Sequence, residues 1–132
     1  MRCAAAAALA AVALVAAQPD SQSGGGDGYT YYCIGVDCSR YAAAATRPGV
    51  VLMGGSTDVD AGFEYQISRA GGGDFLVLRA TGTDAYNPYI WELAAAVGAS
   101  LNTVTTVILS SAAGAAADFV VNAGATMPHV VI

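Results

Sequence analysis

Short apolar runs alternate with helix-spaced apolar stripes through the middle of the chain, and glycines punctuate the joins. Val50, Val51, Leu52 and Met53 lie between glycines and read as a strand covered on both faces. Thr57 stands three residues before Asp60 in a capping-box-like arrangement, and Val59, Phe63, Ile67 and Ala70 then recur at helical spacing. Gly62 inside that helix costs about 1 kcal/mol relative to alanine, so a packing reason for it is expected. Gly71, Gly72 and Gly73 end the helix, and residues 75–78 form a second buried strand. Asn87 is placed to cap a second helix with Pro88 at its first position; Ile90, Leu93, Ala94 and Val97 make its apolar stripe before Gly98 stops it. Residues 104–109, rich in β-branched side chains, are the third strand. Asp118 is a candidate cap for a short helix, and residues 129–132 read as a fourth strand or a frayed tail. This order predicts an α/β domain with a doubly wound, mostly parallel sheet of about three to four strands.

The two ends read differently. Met1 and Arg2 are a short basic start, residues 3–17 are an unbroken run of small and apolar side chains, and Val15, Ala16 and Ala17 offer a small-residue cleavage site. Residues 1–17 are therefore expected to be a signal peptide, which implies a secreted protein. A membrane-spanning helix needs about 20 apolar residues, which this run lacks, and polar Gln18 follows at once. Residues 18–48 are a lead-in: residues 18–28, rich in Ser and Gly, read as flexible. Residues 29–41 carry four tyrosines and read as an edge hairpin or lid. Pro48 biases Arg47 away from helix and marks the start of the α/β domain, residues 49–132.

Charge narrows the partners. The 132 residues carry ten acidic side chains against five basic ones, all arginine, for a net charge of −5. Without residues 1–17 four arginines remain. Nucleic acid is not expected as a partner, because phosphate binding needs clustered cations and none cluster here. No membrane contact is expected once the leader is removed. With only 11% charged residues and a sheet edge to leave open, self-association through that edge is expected.

Cys33 and Cys38, separated by four residues, read as a disulfide in an oxidising compartment, with a chain-entropy contribution of about 2 kcal/mol. A zinc site fails for want of ligands, since His129 is the sole histidine and two thiolates leave a tetrahedral shell incomplete. No metal and no cofactor is expected. A dinucleotide site is a poor reading too, because G-x-G-x-x-G spacing is absent.

Two loops concentrate candidate chemistry. Gly54, Gly55 and Asp58 follow the first expected strand and open a helix, so backbone N–H groups there could face developing negative charge. The plainer reading is a tight strand-to-helix turn. After the second strand come Arg79 as a carboxylate fork, Thr81 and Thr83 as hydroxyls, Asp84 as an acceptor, and Tyr86 and Asn87 as shaping groups of a substrate pocket. Equally, Asn87 only caps and Asp84 only turns the chain. Ser56 follows two glycines but has no base except His129, which lies near the chain end after a proline. In an open parallel sheet such loops share the rim where ligands bind.

The phrases GVVLMGGSTDVD, SRAGGGDFLVLRATGTDAYNPY and NTVTTVIL, in this order, resemble the amino-terminal half of the cyanophycinase-like serine peptidases, of the class I glutamine amidotransferase-like superfamily. The resemblance spans roughly residues 29–121. It implies a flavodoxin-like three-layer sandwich, places Gly54, Gly55 and Asp58 on an active-site rim and oxyanion loop, and implies peptide hydrolysis with β-aspartyl or dipeptide-repeat substrates. In that family a glycine-glycine-acid-glutamine elbow with the nucleophilic serine follows, and a catalytic histidine after it. After Val121 this sequence continues as NAGATMPHVVI and contains neither that elbow nor G-x-S-x-G. The expectation is a truncated serine-type hydrolase, inactive by itself and with no catalytic residue of its own. The alternative is a secreted, non-catalytic binding module.

Overall fold

The computed structural model describes residues 19–126. The signal peptide expected at residues 1–17, His129 and the possible fourth strand at residues 129–132 lie outside the described residues. What is described is an α/β domain: β1 (Asp20–Gly26), β2 (Tyr29–Gly35), α1 (Asp60–Ala70), β3 (Asp74–Arg79), α2 (Tyr86–Ala96), β4 (Thr103–Leu109), α3 (Ala112–Ala115) and α4 (Asp118–Thr126).

The sheet is mixed, in the order β1-β2-β4-β3. β3 and β4 are parallel, Asp74 facing Thr103 and Arg79 facing Ile108, whereas β2 pairs antiparallel with both β4 and β1. One parallel pair among three pairings corrects the expectation of a mostly parallel sheet. The parallel pair is the part with helices on both faces. Phe75, Val77 and Val104 pack with Phe63 and Ile67 of α1 and Ile90 and Ala94 of α2. Leu76 and Val107 face the other way, against Val120 of α4. This two-sided burial is why Phe75-Leu76-Val77-Leu78 is continuously apolar.

Residues 50–53 are not a strand. Val50 is 82% exposed and Leu52 93%, while Val51 and Met53 lie against α1, where an added Cβ on Gly62 would meet the Met53 sulfur at 2.6 Å. β3 and β4 hydrogen-bond to each other directly, so no further parallel strand lies between them. The close pass of Met53 is the packing reason expected for Gly62.

Part of the lead-in forms a strand where a segment without regular structure was expected. β1, DSQSGGG, forms a hairpin with β2 along its whole length. Its glycines have a specific use: Gly24 lies opposite Tyr31, whose ring stands 2.6 Å from where a Cβ would be. The tyrosine rings thus cover strand positions that contribute no side chain of their own. Tyr29 and Tyr31 stack in turn on Phe119 of α4, at 5.5 and 4.5 Å between centroids. β2 is therefore an interior strand, where an edge hairpin or lid was expected, and Cys33 on it is disulfide-bonded to Cys38 just beyond its end.

Helix starts also differ in detail. Val59 is the N-cap of α1 and makes no side-chain cap, so Thr57 and Asp60 form no capping box, and Val59 stays 53% exposed outside the core stripe. Ala85, not Asn87, is the N-cap of α2. A buried carboxylate joins the starts of β3 and β4 to the preceding loop instead. Asp74 accepts from the Thr103 hydroxyl and the Asn102 amide, both at 2.6 Å, and from the Ala42 backbone N–H at 2.8 Å. Burial, with the Asp74 carboxylate nearby, pushes the Tyr41 hydroxyl above its ordinary pKa.

Candidate functional site

The carboxyl end of β3 and the starts of α1 and α2 meet at one rim. Arg79 is the last residue of β3, Asp58 lies two residues before α1, and Tyr86 opens α2. The Tyr86 hydroxyl donates to Asp58, 3.0 Å from Oδ2 and 3.1 Å from Oδ1. The Arg79 guanidinium stacks over the Tyr86 ring, 5.0 Å from its centroid, and Nη1 donates to the Thr83 carbonyl at 3.1 Å. A cleft of about 250 Å³ opens between them, lined by Asp58, Arg79, Ala85, Tyr86 and Tyr89. A second hollow of about 270 Å³ shares Asp58, Arg79 and Tyr86 and reaches down to Met53, Phe63, Val77 and Leu78.

The sequence expectation placed Asp58 and the Arg79 loop near one rim, and three of those residues converge here. The others do not. Asn87 points into the core: fully buried, it donates through Nδ2 to the Tyr32 carbonyl at 2.9 Å and accepts from the Thr106 hydroxyl at 2.7 Å. Its role is to fasten α2 to β2 and β4. Asp84 is exposed, and its carbonyl accepts from the Asn87 backbone N–H at 2.8 Å, a turn function. Gly54 and Gly55 stand in open space, since a Cβ on either would meet nothing within 4 Å. Ser56 is exposed with φ 151°, a region that costs a non-glycine residue about 1–3 kcal/mol.

Tyr89 and Asp60 belong to this rim; the sequence pattern offered Asp60 only as part of a helix cap and did not point to Tyr89. Tyr89 lines the cleft and donates to Asp60 at 2.6 Å, repeating one turn further on what Tyr86 does with Asp58. The spacing carried the signal: tyrosines three apart on one helix, aspartates two apart at the start of another. Phe63 packs between the layers, edge-on to Tyr89 at 5.3 Å, so the aromatic wall is anchored in the core. Burial and the neighbouring aspartates raise both hydroxyls above the ordinary tyrosine value, Tyr89 to about 12. Both stay protonated, and both act as donors, through neutral pH.

Chemically this rim can bind but offers no nucleophile paired with a base among the described residues. Its groups are one guanidinium, two carboxylates each already accepting a hydroxyl, and two phenol rings. No group of three or more metal-ligating side chains occurs among the described residues, and none of the described helices is long and apolar enough to cross a membrane. Comparison with models of protein families, with curated proteins and with solved structures finds no match.

Proposed function

We propose that this chain forms the binding lip of a cyanophycinase-like, serine-type peptide hydrolase cleft without supplying the attacking group. The observation that carries the reading is the Asp58–Tyr86 hydrogen bond, which joins the glycine-bearing loop and the post-β3 loop into one rim beside Arg79. In a doubly wound, flavodoxin-like arrangement, of which β3-α2-β4 would be one unit, such loops flank the reacting centre. The ligand in this reading is peptide-like, with a β-aspartyl or dipeptide-repeat linkage. In this reading the chain is inactive by itself, because losing an essential member of a nucleophile–base pair typically costs about 10⁴ or more in rate. Secretion through the leader and self-association along the open sheet edge belong to the same reading.

The secreted, non-catalytic binding module is the second reading. What favours it is that the rim presents donors and an aromatic wall but no nucleophile and base among the described residues. One experiment addresses both. A β-aspartyl dipeptide is titrated into ¹⁵N-labelled protein while amine release is followed by chromatography. The first reading expects shifts at Asp58, Arg79 and Tyr86 with no release above buffer; shifts elsewhere, or none, contradict it. Binding of unrelated ligands at this rim, with the dipeptide ignored, favours the second.

A further inference from the structure

We propose that the cleft takes its ligand through a free carboxylate gripped by Arg79. The inference rests on the reading of this rim as a binding site, and it specifies the chemical group the rim recognises. The arginines of the described residues are otherwise engaged at the surface. Arg40 pairs with Asp37 at 3.0 Å, Arg47 donates to the Ser68 carbonyl at 3.0 Å, and Arg69 lies over the Tyr65 ring at 4.7 Å. Arg79 is the one cation lining the cleft, and it takes part in no ion pair among the described residues. Arg47 and Arg69 likewise make no ion pair among the described residues, so what distinguishes Arg79 is its place in the cleft. Asp58, also on the cleft lining, accepts from the Tyr86 hydroxyl.

The guanidinium is also held in advance. The Thr83 carbonyl takes one of its five N–H groups, and the Tyr86 ring supports its face. Gly82, at φ 111°, folds the loop so closely around it that an added Cβ would sit 2.7 Å from Arg79 Cζ. A planar fork fixed in this way loses little entropy on meeting a carboxylate, which its geometry matches in a bidentate pair. A monoanion fits better than a phosphate dianion: a single cation is present, and Asp58 and Asp60 at the same rim would repel the second charge.

The test uses N-acetylglycine and its carboxamide, N-acetylglycinamide, titrated into the ¹⁵N-labelled chain with the Arg79 Nε–Hε resonance as readout, and the Tyr86 backbone amide in the variant that lacks it. The acid is expected to shift that resonance saturably in the millimolar range, with weaker binding at higher salt, and the amide to leave it unmoved. Arg79→Gln is expected to weaken binding at least tenfold and Arg69→Gln to leave it unchanged. Gly82→Ala, which displaces the guanidinium without removing it, is expected to weaken binding as well, and it serves if Arg79→Gln does not fold. Equal shifts from the amide, undiminished affinity in Arg79→Gln, or a response to inorganic phosphate but not to the acid would overturn the proposal. Recognition of a β-aspartyl dipeptide and its carboxamide alike would sink this inference while leaving the peptide-cleft reading intact. Binding of N-acetylglycine with the dipeptide ignored would do the reverse.

Discussion

Tyr86 and Asp58 are 28 positions apart in the chain and joined by one hydroxyl, and that bond closes the rim. The pair is partly open to solvent, so its contribution to stability is modest, about 1 kcal/mol or less. Tyr86→Phe is expected to lower the urea midpoint slightly and leave the slope unchanged, while amide exchange at residues 57–60 accelerates. Unchanged exchange there would show that the bond does not hold the loop.

Asn87 offers a larger effect. Its amide satisfies the Tyr32 carbonyl and the Thr106 hydroxyl in a dry interior. Asn87→Ala should cost about 2–3 kcal/mol, because two buried polar groups lose their partner. Thr106→Val combined with Asn87→Leu is expected to cost less than the sum of the two single changes, measured by chemical denaturation. Strict additivity would contradict the direct contact.

These two residues show what the sequence can and cannot convey. Arg79, Tyr86 and Asp58 are legible because each flanks a strand end or a helix start, and local pattern places such positions on a rim. Asn87 is not, because its partners lie 55 residues upstream and 19 downstream, and an asparagine before a proline looks like a cap from either side. Residues 50–53 mislead for a similar reason: an apolar run says that it wants cover, and here Val51 and Met53 find it on α1 and not in the sheet. The glycine-rich β1 has no side-chain pattern at all, and its order comes from the backbone ladder and from tyrosines on the facing strand.

Exposure of Val50 and Leu52 predicts association. Leu52→Lys should raise the monomer fraction in light scattering at fixed concentration without lowering the melting temperature, since the side chain is 93% exposed. Equal scattering from both proteins would point to a different contact.

Tyr89 predicts a pH dependence. Its hydroxyl is raised to about 12 in the fold, first by burial and then by its bond to Asp60, against about 10 in an unfolded chain. The neutral form is the one the fold favours, so its stabilising contribution is complete below pH about 10 and disappears as pH rises through about 12. Absorbance at 295 nm should show a late phenolate step that is missing in Tyr89→Phe and moves to lower pH in Asp60→Asn. An ordinary tyrosine titration at this position would refute the Tyr89–Asp60 bond.

The most direct test of the central claim, a binding lip without an attacking group, is reaction of the purified chain with a fluorophosphonate probe, read by intact mass. The account predicts no adduct. A stoichiometric adduct that disappears when Ser56, or any other single serine of this sequence, is replaced by alanine would contradict it.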